Sequence, residues 1–295
     1  MQKQKILITG AEWMLAFDFI KSQSEKYDII AVDKKECDIT SFESILQCIA
    51  LYEPDILLNT AAYTNVEDAE DIDMLECYEV NTLGVKNLSK ATAVFGVVFI
   101  TLSTDYVFDG LQKNGYLPTD LCNPLNNYGV SKYLWERLTK EENPDTIIVR
   151  TSWLYGGEVY DGNPLKKWVH KNFVNTMLQL SETRGELRVV SDQFGAPTSC
   201  IDLSSALSEL IDDLEDYLWQ TLHFSNEVPG GAVTWADFTR EIFLLTQKNV
   251  KVIDCLSSEY PTKARRPEWN VLKNDSKIRL PDWKSGINTY LRINK

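Results

Sequence analysis

From Ile6 onward, short apolar runs alternate with longer stretches in which apolar residues recur at helical spacing. Ile6-Leu7-Ile8 reads as a first buried strand ending in the glycine turn at Gly10. Further strands are predicted at 27–32, 55–59, 97–102 and 146–150. Between them the spacing predicts helices at 14–23, 41–52 (with Pro54 marking its end) and 71–95, and another carrying residues 128–132. Strands that alternate with helices predict an α/β fold, a Rossmann-like doubly wound parallel sheet.

After about residue 155 the rhythm breaks. Gly156-Gly157, Gly162 and Pro164 indicate a loop. Helices follow at 170–182, 202–214 and 235–247, with short strands near 187–190 and 250–253. The stretch 257–282, rich in Pro, Lys and Arg, reads as an irregular crossing. The expected organisation is a dinucleotide-binding domain over 1–155 and a smaller, mainly substrate-binding lobe over 156–295. Some segments of that lobe should return over the sheet edge, where ligands bind at the carboxyl ends of the strands.

Composition narrows the picture. With 44% hydrophobic and 25% charged residues the chain reads as an ordinary globular protein. A net charge of −13 argues against a surface that neutralises nucleic-acid phosphates. It leaves room for a local basic pocket, and Lys263, Arg265 and Arg266 form one basic cluster. No apolar stretch is long enough to span a membrane. Met1 to Lys5 lead straight into the first strand, so no secretion signal is expected. The six cysteines form no C-x-x-C pair, and His170 and His223 are isolated, so no zinc-ligand spacing exists. Reduced, buried thiols in a cytoplasmic monomer or homodimer are expected.

The chemistry gathers around Tyr128-Gly129-Val130-Ser131-Lys132, downstream of Thr104-Asp105-Tyr106. On a helix, Tyr128 and Lys132 share a face. An ammonium beside a phenol favours the phenolate and is expected to lower the tyrosine from its usual ~10. That suits a general acid or base. Read singly, Thr104 caps a turn, Trp153 belongs to a core and Asn81 bridges backbone groups.

The ordered motifs carry a resemblance. They are Ile8-Thr9-Gly10, Asp38-Ile39-Thr40, Asn59-Thr60-Ala61-Ala62-Tyr63, Val80-Asn81 and Leu102-Ser103-Thr104-Asp105-Tyr106-Val107-Phe108-Asp109-Gly110. Pro124 to Lys132, Arg150-Thr151-Ser152-Trp153-Leu154-Tyr155-Gly156, Asn172-Phe173-Val174, Asp192 to Thr198 and Arg266-Pro267 complete the set. The chain resembles the extended short-chain dehydrogenase/reductases, and within them the dTDP-4-dehydrorhamnose reductase family, over nearly its whole length. The resemblance implies reduction of the C4 keto group of a dTDP-linked 6-deoxy sugar by NADPH or NADH, for surface polysaccharide synthesis. It also implies a catalytic Thr104, Tyr128 and Lys132, a sugar site of Asp105, Tyr106 and Trp153, and contacts to the nucleotide diphosphate from Asn172 and Arg266. Coenzyme would be held by Gly10, Trp13, Met14, Asp33, Asp38, Ile39, Ala61, Ala62, Tyr63 and Asn81, together with Tyr128 and Lys132. Elementary chemistry agrees: hydride transfer to a ketone builds negative charge on oxygen, which needs a proton donor and hydrogen bonds.

The chain departs from the family at the phosphate loop, where Gly-x-x-Gly-x-x-Gly becomes Gly10, Trp13 and Ala16. The middle glycine lets backbone approach the pyrophosphate, and the last lets helix pack on strand. Glu12 adds a negative charge beside that place. Three outcomes stand open: Trp13 swings aside and binding weakens, the loop is remodelled, or the site is closed. Asp33 suits the ribose hydroxyl of NADH, whereas Lys34 and Lys35 suit the 2′-phosphate of NADPH. Leu15 occupies the place where some relatives offer a metal-binding glutamate, so no metal is expected. A non-catalytic, partner-binding regulatory protein of this fold, or another nucleotide-sugar reductase or epimerase, is the rival reading.

Overall fold

The computed structural model describes residues 3–143, 145–160, 162 and 170–293. Met1, Gln2 and the loop marker Pro164 lie outside them. The N-terminal half runs β1 (Lys5–Thr9), α1 (Met14–Gln23), β2 (Asp28–Val32), α2 (Phe42–Tyr52), β3 (Ile56–Asn59), α3 (Met74–Tyr78), α4 (Val85–Phe95), β4 (Val98–Thr104), α5 (Asn127–Glu142) and β5 (Ile147–Thr151). The rest runs β6 (Leu154–Tyr155), α6 (Phe173–Ser181), β7 (Glu186–Val190), β8 (Phe194–Gly195), β9 (Thr198–Ser199), α7 (Cys200–Asp212), α8 (Leu214–Tyr217), β10 (Thr221–His223), β11 (Val233–Thr234), α9 (Trp235–Leu245), β12 (Lys251–Cys255) and α10 (Trp283–Ile293).

Six strands form the main sheet in the order β2-β1-β3-β4-β5-β10, with every pairing parallel. Their apolar runs are continuous because both faces are covered. Ile6, Ile8, Leu58, Ile100 and Val149 join the layer of α1 and α7, while Leu7, Leu57, Phe99 and Ile148 join that of α2, α4 and α5. The split follows from the two-residue period of a strand. Each such side chain, fully buried, contributes about 1.5–3 kcal/mol.

The chain moves from β1 out to β2 and then crosses to β3 on the other side of β1, so a crevice opens at the carboxyl ends of β1 and β3. Gly10 closes β1 with φ of +79°, and a Cβ there would lie 2.6 Å from the Ala61 nitrogen. Both the turn and the close approach therefore require glycine.

One expectation changes and two elements were missed. The helix expected over 71–95 is broken into a 3-10 turn at Asp68–Glu70, then α3, a π turn at Glu79–Gly84, and α4. The wide turn aims the fully buried Asn81 away from its own helix, at Tyr63 and Ser131. β10, only three residues long, carries no periodic signal of its own and is held by pairing with β5. α10 was legible at helical spacing in Trp283, Ile287, Tyr290 and Leu291, all buried, but the pattern reading passed over it. Elsewhere in the C-terminal half, α6, α9 and α10 share a core with the parallel pair β7–β12, through Val174, Leu178, Leu187, Phe238, Ile242 and Ile287.

Candidate functional site

Two recesses lie at the carboxyl ends of the strands and share Trp13 and Ala62. Gly10, Trp13, Asp33, Asp38, Ile39, Ala61, Ala62 and Tyr63 line the first, as expected of a coenzyme groove. Met14 faces the second. Asn81 lines neither: its amide accepts from the Tyr63 N–H at 2.9 Å and donates to the Tyr63 carbonyl and to Ser131 Oγ, each at 3.0 Å. It thereby fastens the loop after β3 to α5. Asp33 Oδ1 accepts the Lys35 and Glu36 N–H groups, which orients the carboxylate at the end of β2. Lys34 lines the same recess, so both readings of coenzyme preference keep their residue.

Thr104, Asp105, Tyr106, Tyr128, Lys132 and Trp153 all line the second recess. Asn126 caps α5 by accepting the Gly129 N–H at 2.8 Å, which starts the helix one residue before Tyr128. Gly129 is obligatory, because a Cβ there would lie 2.3 Å from the Tyr106 carbonyl oxygen. The Tyr106 ring meets Tyr128 edge-on at 5.7 Å. Thr104 ends β4; its hydroxyl caps the next turn by accepting the Tyr106 N–H and donates to Asp105 Oδ1 at 3.0 Å. The capping role and a place in the cleft thus coexist. Asp105 is buried and its other oxygen accepts from Asn270 at 2.8 Å. Burial raises it to about 7 despite the hydrogen bonds from Thr104 and Asn270.

The expected lowering of Tyr128 is not found. The side chain is half-buried in the wall of the cleft, and desolvation pushes it above the ordinary phenol value. A hydrogen bond with Thr104 opposes this, and the charges of Asp105 and Tyr106 add to it. Lys132 is not among the main influences; its ammonium donates to the Leu102 carbonyl at 3.0 Å. Burial lowers Lys132 itself to about 8, opposed by Glu136 one turn along α5.

Trp153 adopts φ of +45°, a strained conformation for a bulky residue and one that clusters at functional sites. It stacks on Trp235 at 3.5 Å with an interplanar angle of 7°, and both line the cleft. A Cβ on Gly195 would lie 2.5 Å from the Trp153 ring, so this glycine makes the space for it. Trp235 was missed because it is distant in sequence and belongs to no quoted motif. Lys171, also missed, lines the same cleft.

Asn172 and Arg266 line neither recess and are engaged elsewhere. Asn172 caps α6 by accepting the Asn175 N–H, and donates to the Gly156 carbonyl at 2.9 Å. Arg266 pairs with Glu67 at 2.6 Å, and Lys263 with Asp71 at 2.6 Å. Sequence showed the basic cluster but not the acidic loop that neutralises it.

The phosphate loop fits a dinucleotide at its ends. Gly10 supplies the tight turn, and Ala16 is wholly buried, small enough for α1 to pack on the sheet. Between them Trp13, at the N-cap of α1, stands on the wall common to both recesses. Leu15 is part of the core. Among the described residues, no group of three or more His, Cys, Asp or Glu converges as a metal site.

Residues 4–295 match the family model described as the RmlD substrate binding domain. A dTDP-4-dehydrorhamnose reductase of Aggregatibacter actinomycetemcomitans is 36% identical over 89% of this chain and 88% of its own. A crystal structure of a dTDP-4-dehydrorhamnose reductase from Clostridium acetobutylicum has a TM-score of 0.88 and 36% identity, covering 98% of this chain and 99% of that one. The Bacillus anthracis dTDP-4-dehydrorhamnose reductase, solved in complex with NADP, also has a TM-score of 0.88, at 33% identity, over 99% of this chain and 100% of that one. The order of motifs, the parallel sheet and these relatives agree: the chain belongs to the dTDP-4-dehydrorhamnose reductase family.

Proposed function

We propose that this protein reduces the C4 keto group of dTDP-4-dehydrorhamnose to give dTDP-L-rhamnose, with NADPH or NADH as reductant. The observation that carries the reading is the convergence of Thr104, Tyr128 and Lys132 at one end of a cleft walled by Trp153. The reduced nicotinamide supplies the hydride. Gly10, Asp33, Asp38, Ile39, Ala61, Ala62 and Tyr63 hold the coenzyme, and Asn81 keeps Tyr63 in place. Lys132 would hold the nicotinamide ribose.

As hydride reaches C4, the carbonyl π pair moves onto oxygen and Tyr128 transfers its O–H proton there, leaving the alcohol. A phenol raised by burial stays protonated at neutral pH, which suits a proton donor. Thr104 hydrogen-bonds the same oxygen once its hydroxyl turns from Asp105. Asp105, Tyr106 and the flat face of Trp153 position the sugar. The enzyme works in the cytoplasm, as a monomer or homodimer, in supply of a surface polysaccharide; unpaired cysteines support that compartment. The partner-binding alternative is not favoured, because relatives over nearly the whole chain are reductases.

The test is oxidation of NADPH that depends on the dTDP-keto sugar. A folded preparation that binds the sugar nucleotide yet never consumes NADPH would sink the proposal. Two further outcomes are expected. Lys132 is charged below its value of about 8 and neutral above it, so kcat/KM should fall as pH rises through 8; a flat profile from pH 7 to 9.5 would contradict that role. Trp13→Gly should restore backbone approach to the pyrophosphate and tighten NADPH binding by about tenfold, roughly 1.4 kcal/mol. Titration by tryptophan-to-nicotinamide energy transfer checks this, and weaker binding would mean that the indole itself holds the coenzyme.

A further inference from the structure

The reaction as read brings two diphosphates, one in the coenzyme and one in the sugar nucleotide, to a chain of net charge −13. A local cation would offset that repulsion. Two of the three cations in the basic cluster are not free, since Arg266 is paired with Glu67 and Lys263 with Asp71, and Lys34 lines the coenzyme recess rather than the catalytic cleft. Of the charged residues lining the catalytic cleft, only Lys132 and Lys171 are basic. Lys132 is buried and tied to the Leu102 carbonyl. Lys171 is exposed, lines the cleft beside Trp13, Trp153 and Trp235, and makes no ion pair among the described residues.

Its place is set by its neighbours. The His170 ring packs on Phe17 of α1 with centroids 5.1 Å apart, and lies against the Glu12 backbone. Gly157 exists to admit that ring, because a Cβ there would lie 2.4 Å from His170 Nδ1. On its other side, Asn172 anchors the segment to Gly156 and to α6. Lys171 is therefore held between two fixed residues, at the mouth of the cleft near the start of α1. There the phosphate loop has lost two glycines and carries Glu12.

We propose that Lys171 is a diphosphate-binding residue of this reductase, supplying from the C-terminal half the positive charge that the altered phosphate loop lacks. The inference rests on the reductase reading for its ligands, but its test does not require turnover. Full-length wild type, Lys171→Gln, Lys171→Arg and Arg266→Gln would be titrated with NADPH and, separately, with dTDP. Lys171→Gln should weaken one of the two by about 10–100-fold, with arginine largely restoring it, as expected for a hydrogen bond to a charged group. The affected ligand identifies which diphosphate the lysine holds. The salt dependence of that ligand's affinity should flatten in the glutamine variant.

Unchanged affinity for both ligands in folded Lys171→Gln would overturn the proposal. So would loss confined to Arg266→Gln, which would assign the charge to Arg266 released from Glu67. Normal binding of both ligands by wild type without NADPH oxidation would count against the reductase reading alone.

Discussion

Tyr128→Phe is expected to lower kcat by about 10²–10⁴-fold while leaving the fold and NADPH affinity nearly intact. The change removes one oxygen and keeps the ring, so the edge-on contact with Tyr106 survives. What is lost is the proton that must reach the oxygen as hydride reaches carbon. Its titratable neighbours Lys132 and Asp105 are already engaged. Lys132 donates to a backbone carbonyl, and Asp105 carries its own hydrogen bonds from Thr104 and Asn270. The check is steady-state kinetics beside coenzyme titration and thermal melting of the same sample. Near wild-type kcat in Tyr128→Phe would remove Tyr128 from the chemistry, and a collapsed melting temperature would make the residue structural.

Glu136→Ala is expected to lower stability by about 3–5 kcal/mol, the usual effect of leaving a buried charge unpaired. Arg150 is held by Glu136 through two hydrogen bonds, Nε to Oε1 at 3.0 Å and Nη2 to Oε2 at 2.7 Å, with each side chain only 5% exposed. Arg150 Nη1 also reaches the Pro118 carbonyl and His223 Nε2. Arginine can only donate, so His223 Nε2 accepts and its Nδ1–H donates to the Tyr116 carbonyl. That tautomer is neutral, in keeping with burial and the Arg150 charge lowering His223 to about 3. Alanine would leave the guanidinium with weaker partners, the Pro118 carbonyl and His223 together with the Cys122 sulfur and the Phe108 ring. Chemical denaturation of Glu136→Ala and of Glu136→Ala/Arg150→Met separates the causes. The double variant should recover much of the loss, and equal loss in both would mean that packing, not charge, dominates. Glu136 also opposes the desolvation of Lys132, so the alkaline limit of activity should move to lower pH in any active Glu136→Gln preparation.

Much of this protein was decided by local pattern. The apolar runs of β1 to β5 specify buried strands because a parallel sheet covered on both faces leaves no polar alternation to misread. The four-residue spacing of Tyr128 and Lys132 places both on one side of α5, and their convergence with Thr104 follows once β4 and α5 pack. The loss of glycine at 13 and 16 was equally plain in the sequence, since a phosphate loop is a local structure.

Other features had no local cause. The sign of the Tyr128 shift depends on what surrounds the side chain, and there desolvation is the largest influence while Lys132 is not a main one. Arg266 looked free along the chain until Glu67, from the loop after β3, came to lie beside it. Asn172 looked like a ligand contact but caps a helix. Trp235 and Lys171 reach the cleft only because the C-terminal half folds back across the sheet. The π turn around Asn81 likewise satisfies partners in the loop after β3 and on α5. Periodicity and motif spacing thus determined the elements and the reacting trio. Desolvation, ion pairing and the far wall of the site, which are properties of residues distant in sequence, were decided only by the tertiary structure.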